Sequence, residues 1–289
     1  MGKYIAIKRL VYSYLVDALS FEALSTGLND RESGKFPLYQ GSDNSRILYI
    51  SGIALQLSKS HNQPTLEIAN HIVSHLLTKG EGAFRLQIVS PGWIHLELTH
   101  GFLATWLQSL VVSNVATDKE MGTSKITRQN QSRLFSIQYA HARCYSLLLL
   151  AHREGLIKLT EAIAEINDNS GFYQTSFASL LSAEEIPWLN DDQKLRLIHP
   201  AEGCLISELV KVVDYLEFAD LTARVNWEKF ALDLSQAFES FWCQCRIWGK
   251  VKISTPELAQ ARLGLMIVTQ SVLRCLLVDK LGAVAPISL

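Results

Sequence analysis

The chain lacks an excess of either charge. Its 289 residues carry 27 Lys and Arg against 28 Asp and Glu, a formal net charge of -1. Neither half compensates: residues 1–112 hold 9 basic and 8 acidic residues, 113–132 hold 3 and 2, and 133–289 hold 15 and 18. A nucleic-acid binder usually shows a clear surplus of Lys and Arg, because neutralised phosphates dominate its affinity. Any such binding here has to come from a local patch and is expected to be modest and salt-sensitive. Long hydrophobic runs are also missing. "LLLLA" and "IVTQSVLRCLLV" are too short or too interrupted to cross a bilayer, so no membrane partner is expected. "MGKYIAIKRLVYSYL" alternates like a helix rather than a secretion signal, and its sixth residue is not the Ser or Thr of a myristoylation site. The 5 cysteines are odd in number and scattered. That pattern excludes a disulfide framework and points to a reducing, cytoplasmic setting.

Catalytic signatures are missing as well. There is no glycine-rich phosphate loop and no Gly-x-Ser-x-Gly elbow. His71 and His75 stand four residues apart, but Ile72 follows His71 where a zinc-protease helix has Glu, so a solvated helix face is expected. Cys243 and Cys245 are two apart and fall on different helix faces, which supports neither redox CxxC chemistry nor a zinc site. No metal, no cofactor and no catalytic residue is expected.

What is present is periodicity. Residues 3–25 have helical spacing. Residues 26–45 read as a polar Gly- and Pro-containing loop. "RILYISGIALQLSKSH" starts like a strand and runs into a helix, and "QPTLEIANHIVSHLL" is a second helix opened by Pro64 and Thr65. "FRLQIVS" and "WIHLELT" alternate around Pro91-Gly92, a hairpin pattern, and "GFLATWLQSLVV" is again helical. Residues 1–112 are therefore expected to form an α+β domain, a small antiparallel sheet with helices. Residues 113–132 are polar with little periodicity and read as a linker. From 133 to 289 the segments 133–153, 156–166, 176–183, 191–198, 202–219, 225–247 and 255–281 all have helical spacing, which predicts an all-α bundle.

Three stretches of the second half, "YAHARCYSLLLLA", "AFESFWCQCRIWG" and the terminal "ARLGLMIVTQSVLRCLLVDKLGAVAPISL", resemble the anticodon-binding (DALR) domain of arginyl-tRNA synthetases. That family shows a Tyr-Ala-His-Ala-Arg helix and ends as Leu-Gly, a short spacer, Pro and Met; Leu289 stands where the Met would be. In the first half, "ILYISGIALQLSK", "PTLEIANHIVSHL" and "VSPGWIHLELTHGFLATWLQSLV" resemble the additional N-terminal domain of the same enzymes. The patterns there are Gly-Asp-Tyr-Ala-Ser-Asn-Ile-Ala, then Pro-x-Glu-Ile-Ala, then Pro-Gly-Phe-Ile-Asn. Ile47 and Leu48 depart from the Gly-Asp pair, and His95 replaces an amide. The synthetases carry a nucleotide-binding catalytic domain between these two parts, which needs at least roughly 100 residues. The gap here is about 20 residues, without a His-Ile-Gly-His motif; "MGTSK" at 121–125 is only a faint echo of the Lys-Met-Ser-Lys-Ser loop.

The resemblance implies a non-catalytic tRNA-binding or adaptor protein, with an arginine-type tRNA and a protein such as a tRNA-modifying enzyme as partners. It places Trp93 and His95, flanked by Ser90, on the tRNA D-loop side. Two residues apart on a strand, they would share a face and could stack and hydrogen-bond an unstacked base. It places Tyr139, Arg143, Trp242, Arg246, Lys250 and Leu289 on the anticodon side, with Lys252 as a further phosphate contact. Structural readings stand beside these: Trp93 as a core ring, Tyr139 as an aromatic at the bundle's edge, His141 and Arg143 as partners between helices. The alternative function is a protein–protein interaction or assembly module on the same fold.

Overall fold

The computed structural model describes residues 5–26, 36–41, 46–61, 63–80, 82–112, 131–163, 177–182, 184–218 and 225–289. Its first half has α1 (Ile7–Thr26), β1 (Leu38–Gln40), β2 (Leu48–Ser51), α2 (Ile53–His61), α3 (Thr65–Lys79), β3 (Phe84–Val89), β4 (Trp93–Leu98) and α4 (His100–Val112). The sheet is antiparallel in the order β1-β2-β4-β3. α3 illustrates why these segments fold as they do. Pro64 precedes it in an extended conformation, Glu67 lies in its first turn and Lys79 in its last, each favourable to the helix dipole. Ile68, Ile72 and Leu76 recur every four residues and are buried. The tight β3–β4 turn passes Gly92 at φ +147°, where a side chain would also collide with Thr65. Along β4, Ile94, Leu96 and Leu98 enter the core while Trp93, His95 and Glu97 alternate to the other face.

The second half has α5 (Gln131–Arg153), a β5 (Leu159–Ile163) and β6 (Phe177–Ser182) pair, α6 (Pro200–Phe218), α7 (Trp227–Gln244), the short α8 (Lys250–Ser254) and α9 (Pro256–Cys275), which continues as a π-helical turn, Leu276–Lys280. α9 is the axis of the bundle: every residue from 261 to 273 is buried, as expected of a helix apolar on all sides. Its length and apolarity alone would suit a membrane span, but that apolar surface is used inside the fold. The 5 cysteines form no disulfide.

Two expectations need correction. The stretch read as the loop 26–45 contains β1, whose three residues are too few to show alternation and which exists through pairing with β2. The second half is mainly helical, as expected, but carries one strand pair. The segments read as helices 156–166 and 176–183 contribute β5 and β6, an antiparallel pair, and 191–198 is a turn rather than a helix. There Asn190 Oδ1 accepts from Lys194 N at 2.9 Å, Gln193 adopts φ 58°, and a lone bridge joins Leu189 to Leu195. Apolar residues three or four apart, such as Leu159 with Ile163 and Phe177 with Leu181, suggested helix in these short runs, where apolar spacing cannot separate helix from strand. The linker reading of 113–132 falls almost wholly outside the described residues.

The halves share one hydrophobic core, and polar ties stitch the seam. Gln108 Oε1 on α4 accepts from Ile186 N at 3.2 Å and from Trp188 Nε1 at 2.9 Å. His100 Nδ1 accepts from Leu195 N at 3.0 Å. Gln40 Nε2 donates to Ser207 on α6 at 3.3 Å. Deepest is Asp214 of α6, almost fully buried. It accepts from Lys8 N at 2.8 Å, capping the first turn of α1, and from the hydroxyl of Tyr49 on β2. Burial pushes the Asp214 carboxyl up to about 6, against the opposing pull of the Tyr49 and Lys8 donors. Burial and the Asp214 charge likewise raise the Tyr49 phenol well above its ordinary value. Replacing Tyr49 by Phe removes one donor and leaves the buried carboxylate short of a partner. A loss of about 1.5–3 kcal/mol in unfolding free energy is expected by urea denaturation; an unchanged midpoint would contradict this account of the seam.

Candidate nucleic-acid interface

The register of the first sheet sets out its outer face in rows. Pro37, Gly52, Trp93 and Val89 line one row. Tyr39, Ile50, His95 and Gln87 line the next, and Leu48, Glu97 and Arg85 the third. Trp93 and His95 share this face, both half-buried, and Ser90 is exposed at the turn beside them. Trp93 is therefore neither a core ring nor a free one. Its six-membered ring lies over Gly52, which Pro37 approaches from the other strand. Arg46 and Arg85 converge on Glu97 at 3.2 and 3.8 Å, two cations on one carboxylate.

In the bundle, the exposed side of α5 carries Phe135, Tyr139 and Arg143 at four-residue spacing. Phe135 and Tyr139 are 55% and 43% exposed and stack with centroids 6.4 Å apart. Arg143 is exposed and lies over the Trp242 ring of α7, 5.2 Å from its centroid. Trp242 in turn meets Trp248 edge to face at 5.9 Å. Trp248 Nε1 and Lys252 Nζ both donate to Glu154 Oε2, at 3.0 and 2.7 Å; the Lys252 bond holds the Glu154 carboxyl below its usual value. Arg246 and Lys250 are exposed nearby in sequence. Below them Arg262 pairs with the fully buried Glu202 at 2.6 Å and donates to the Arg246 carbonyl. That buried pair fixes the backbone from which Arg246 projects. Cys245 is buried beside Glu202, its thiol pushed up to about 12 by burial, while Cys243 is exposed.

His141 turns inward. Its Nδ1 donates to the Pro286 carbonyl at 2.8 Å, so its Nε2 accepts from the Gln270 amide at 2.9 Å. With Gln138 Nε2 on the Val284 carbonyl at 2.8 Å, it pins the C-terminal tail along α5. Leu289, three residues past Pro286, is 63% exposed. His141 is thus a structural partner, whereas Arg143 meets an aromatic ring instead of bridging helices by an ion pair. In α3, His71 is exposed and His75 half-buried. Among the described residues no cluster of metal-ligating side chains occurs. Sequence reasoning passed over Tyr39, Phe135, Trp248 and Gly52. Four-residue spacing from Tyr139 could have found Phe135; Tyr39 and Gly52 needed the strand register.

The fold and these surfaces define an α+β unit packed on a mainly helical one, the first displaying half-exposed rings and arginines on its sheet and the second exposed rings with Arg143 among them. The chain is similar to the arginine–tRNA ligase of Synechococcus sp. (strain JA-3-3Ab), with 29% identity over 154 residues, 53% of this chain and 22% of the ligase. This likeness supports an origin related to the aminoacyl-tRNA synthetases; the matched stretch spans about a fifth of the ligase's length. No protein-family model matches the chain, and no solved structure matches it significantly.

Burial lowers His141 from 6.5 to about 4. The folded state then holds the neutral ring while the unfolded chain takes up a proton, so stability is present above pH 6.5 and is lost as pH falls toward 4. The full difference amounts to roughly 3 kcal/mol. Unfolding curves from pH 7.5 to 4.5 should show this loss in the wild type and a flatter profile in His141→Gln; parallel profiles would rule it out.

Proposed function

We propose that this chain is a non-catalytic, cytoplasmic tRNA-binding protein, which holds an arginine-type tRNA and presents it to another enzyme, for instance one that modifies tRNA. Its likeness to an arginine–tRNA ligase supports the RNA class. The 20 residues of 113–132, between the parts that resemble the two tRNA-gripping domains, are too few for a nucleotide-binding catalytic domain of roughly 100 residues or more. The observation that carries the reading is the strip of exposed Phe135, Tyr139 and Arg143, with half-buried Trp242 under the guanidinium. Unstacked bases of a tRNA loop stack on rings of this kind, and Arg143, Arg246 and Lys250 can meet the phosphates between them. Trp93, His95 and Ser90 serve the D-loop side in the same way, with Arg46 and Arg85 nearby.

The near-neutral net charge fits a modest affinity carried by local patches. Titration of labelled tRNA at two salt concentrations should give saturable binding that weakens as salt rises. Tyr139→Ala or Trp242→Ala should lower affinity about 5- to 100-fold, the equivalent of one lost stack of roughly 1–3 kcal/mol. Absence of binding at low salt would overturn the reading in favour of a protein–protein assembly module on the same fold.

A further inference from the structure

We infer that Gly52 is a positioning residue for Trp93: by leaving the sheet bare beneath the indole, it lets the ring lie across β2 as a platform for one unstacked nucleobase. The inference rests on the tRNA-binding reading above and names how one of its contacts is built. Gly52 lies between Pro37 and Trp93 in the outer-face row. Gly52 N donates to the Pro37 carbonyl at 3.2 Å, and the pairing of Ser51 with Ile94 puts Gly52 opposite Trp93. A Cβ on Gly52 would stand 2.8 Å from Trp93 Cζ3, 3.3 Å from Cη2 and 3.1 Å from Pro37 Cγ. Carbon atoms at ease keep roughly 3.5–4.0 Å, so an alanine there and the present indole pose exclude each other. The indole is a rigid plate and can yield only by swinging about its side-chain bonds.

The backbone does not itself require glycine at this position. Among the described residues the glycines with positive φ are Gly82, Gly92, Gly155, Gly249 and Gly282, and Gly52 is not among them. What Gly52 supplies is space. The resulting plate is half-buried from below, with Tyr39 and His95 in the adjoining row to hydrogen-bond or flank a base.

The test measures tRNA affinity for the full-length wild type and for Gly52→Ala, Trp93→Ala, Trp93→Phe and the double variant Gly52→Ala/Trp93→Phe, each checked for an unchanged unfolding transition. Gly52→Ala should lose affinity as Trp93→Ala does, about 5- to 100-fold. The double variant should recover to the level of Trp93→Phe alone, because the shorter ring clears the added Cβ. A purely structural role for Gly52 would give no such recovery. Ultraviolet cross-linking of bound tRNA to the unaltered protein gives a second readout, with nucleotide expected on the peptide that holds Trp93. Wild-type affinity in Gly52→Ala, a double variant as weak as Gly52→Ala, or cross-links that spare the Trp93 peptide would each overturn the inference while leaving tRNA binding in place. Failure of the wild type itself to bind tRNA would remove the wider reading, and this one with it.

Discussion

A buried carboxylate, Asp214, joins parts of the chain that are far apart in sequence. It caps the start of α1 across 206 residues and takes the Tyr49 hydroxyl from the middle strand pair across 165. A buried charge is tolerated only when its lone pairs are occupied. Helix, strand and bundle must therefore meet in one arrangement for the seam to close. The ties from Gln108 and His100 repeat this logic at the other side of the seam. Sheet and bundle consequently share one core, and the two aromatic surfaces are carried by one body instead of two loosely tethered ones.

Periodicity made much of this fold legible. The hairpin of β3 and β4 and the helices α1, α3, α5 and α7 each carry enough repeats for their pattern to stand out. The failures have a common cause. β1 is three residues long, and β5 and β6 are short runs whose apolar residues fit either period; strand pairing decides them, and pairing is not written in local sequence. The opening of α5 is a different case. His141 and Tyr139 look alike as polar rings two residues apart, yet one faces α9 and the tail while the other faces solvent. Helical geometry separates them by about 200°, but only the packing says which side is in.

The surfaces were legible to the same extent. Strand alternation put Trp93 and His95 on one face, and helical spacing linked Trp242 with Arg246. The sequence could not reveal that Arg143 sits on Trp242, that two arginines converge on Glu97, or that a glycine lies under an indole. Those facts depend on neighbours brought in by other elements. They also show how a chain with no net positive charge can offer local basic surface: Glu97 answers two arginines, whereas Glu154 answers Lys252 and leaves Arg143, Arg246 and Lys250 exposed around the rings.

The anchoring of the tail has a practical side. Val284 and Pro286 are gripped by Gln138 and His141 on the helix that carries Tyr139. A purification handle or fluorescent fusion placed after Leu289 would emerge within three residues of that grip and would pull on the contacts that hold the tail along α5. Immobilising the protein through such a handle would load the helix that carries Tyr139 from its buried side, so attachment chemistry has to be chosen with the same care as the ligand.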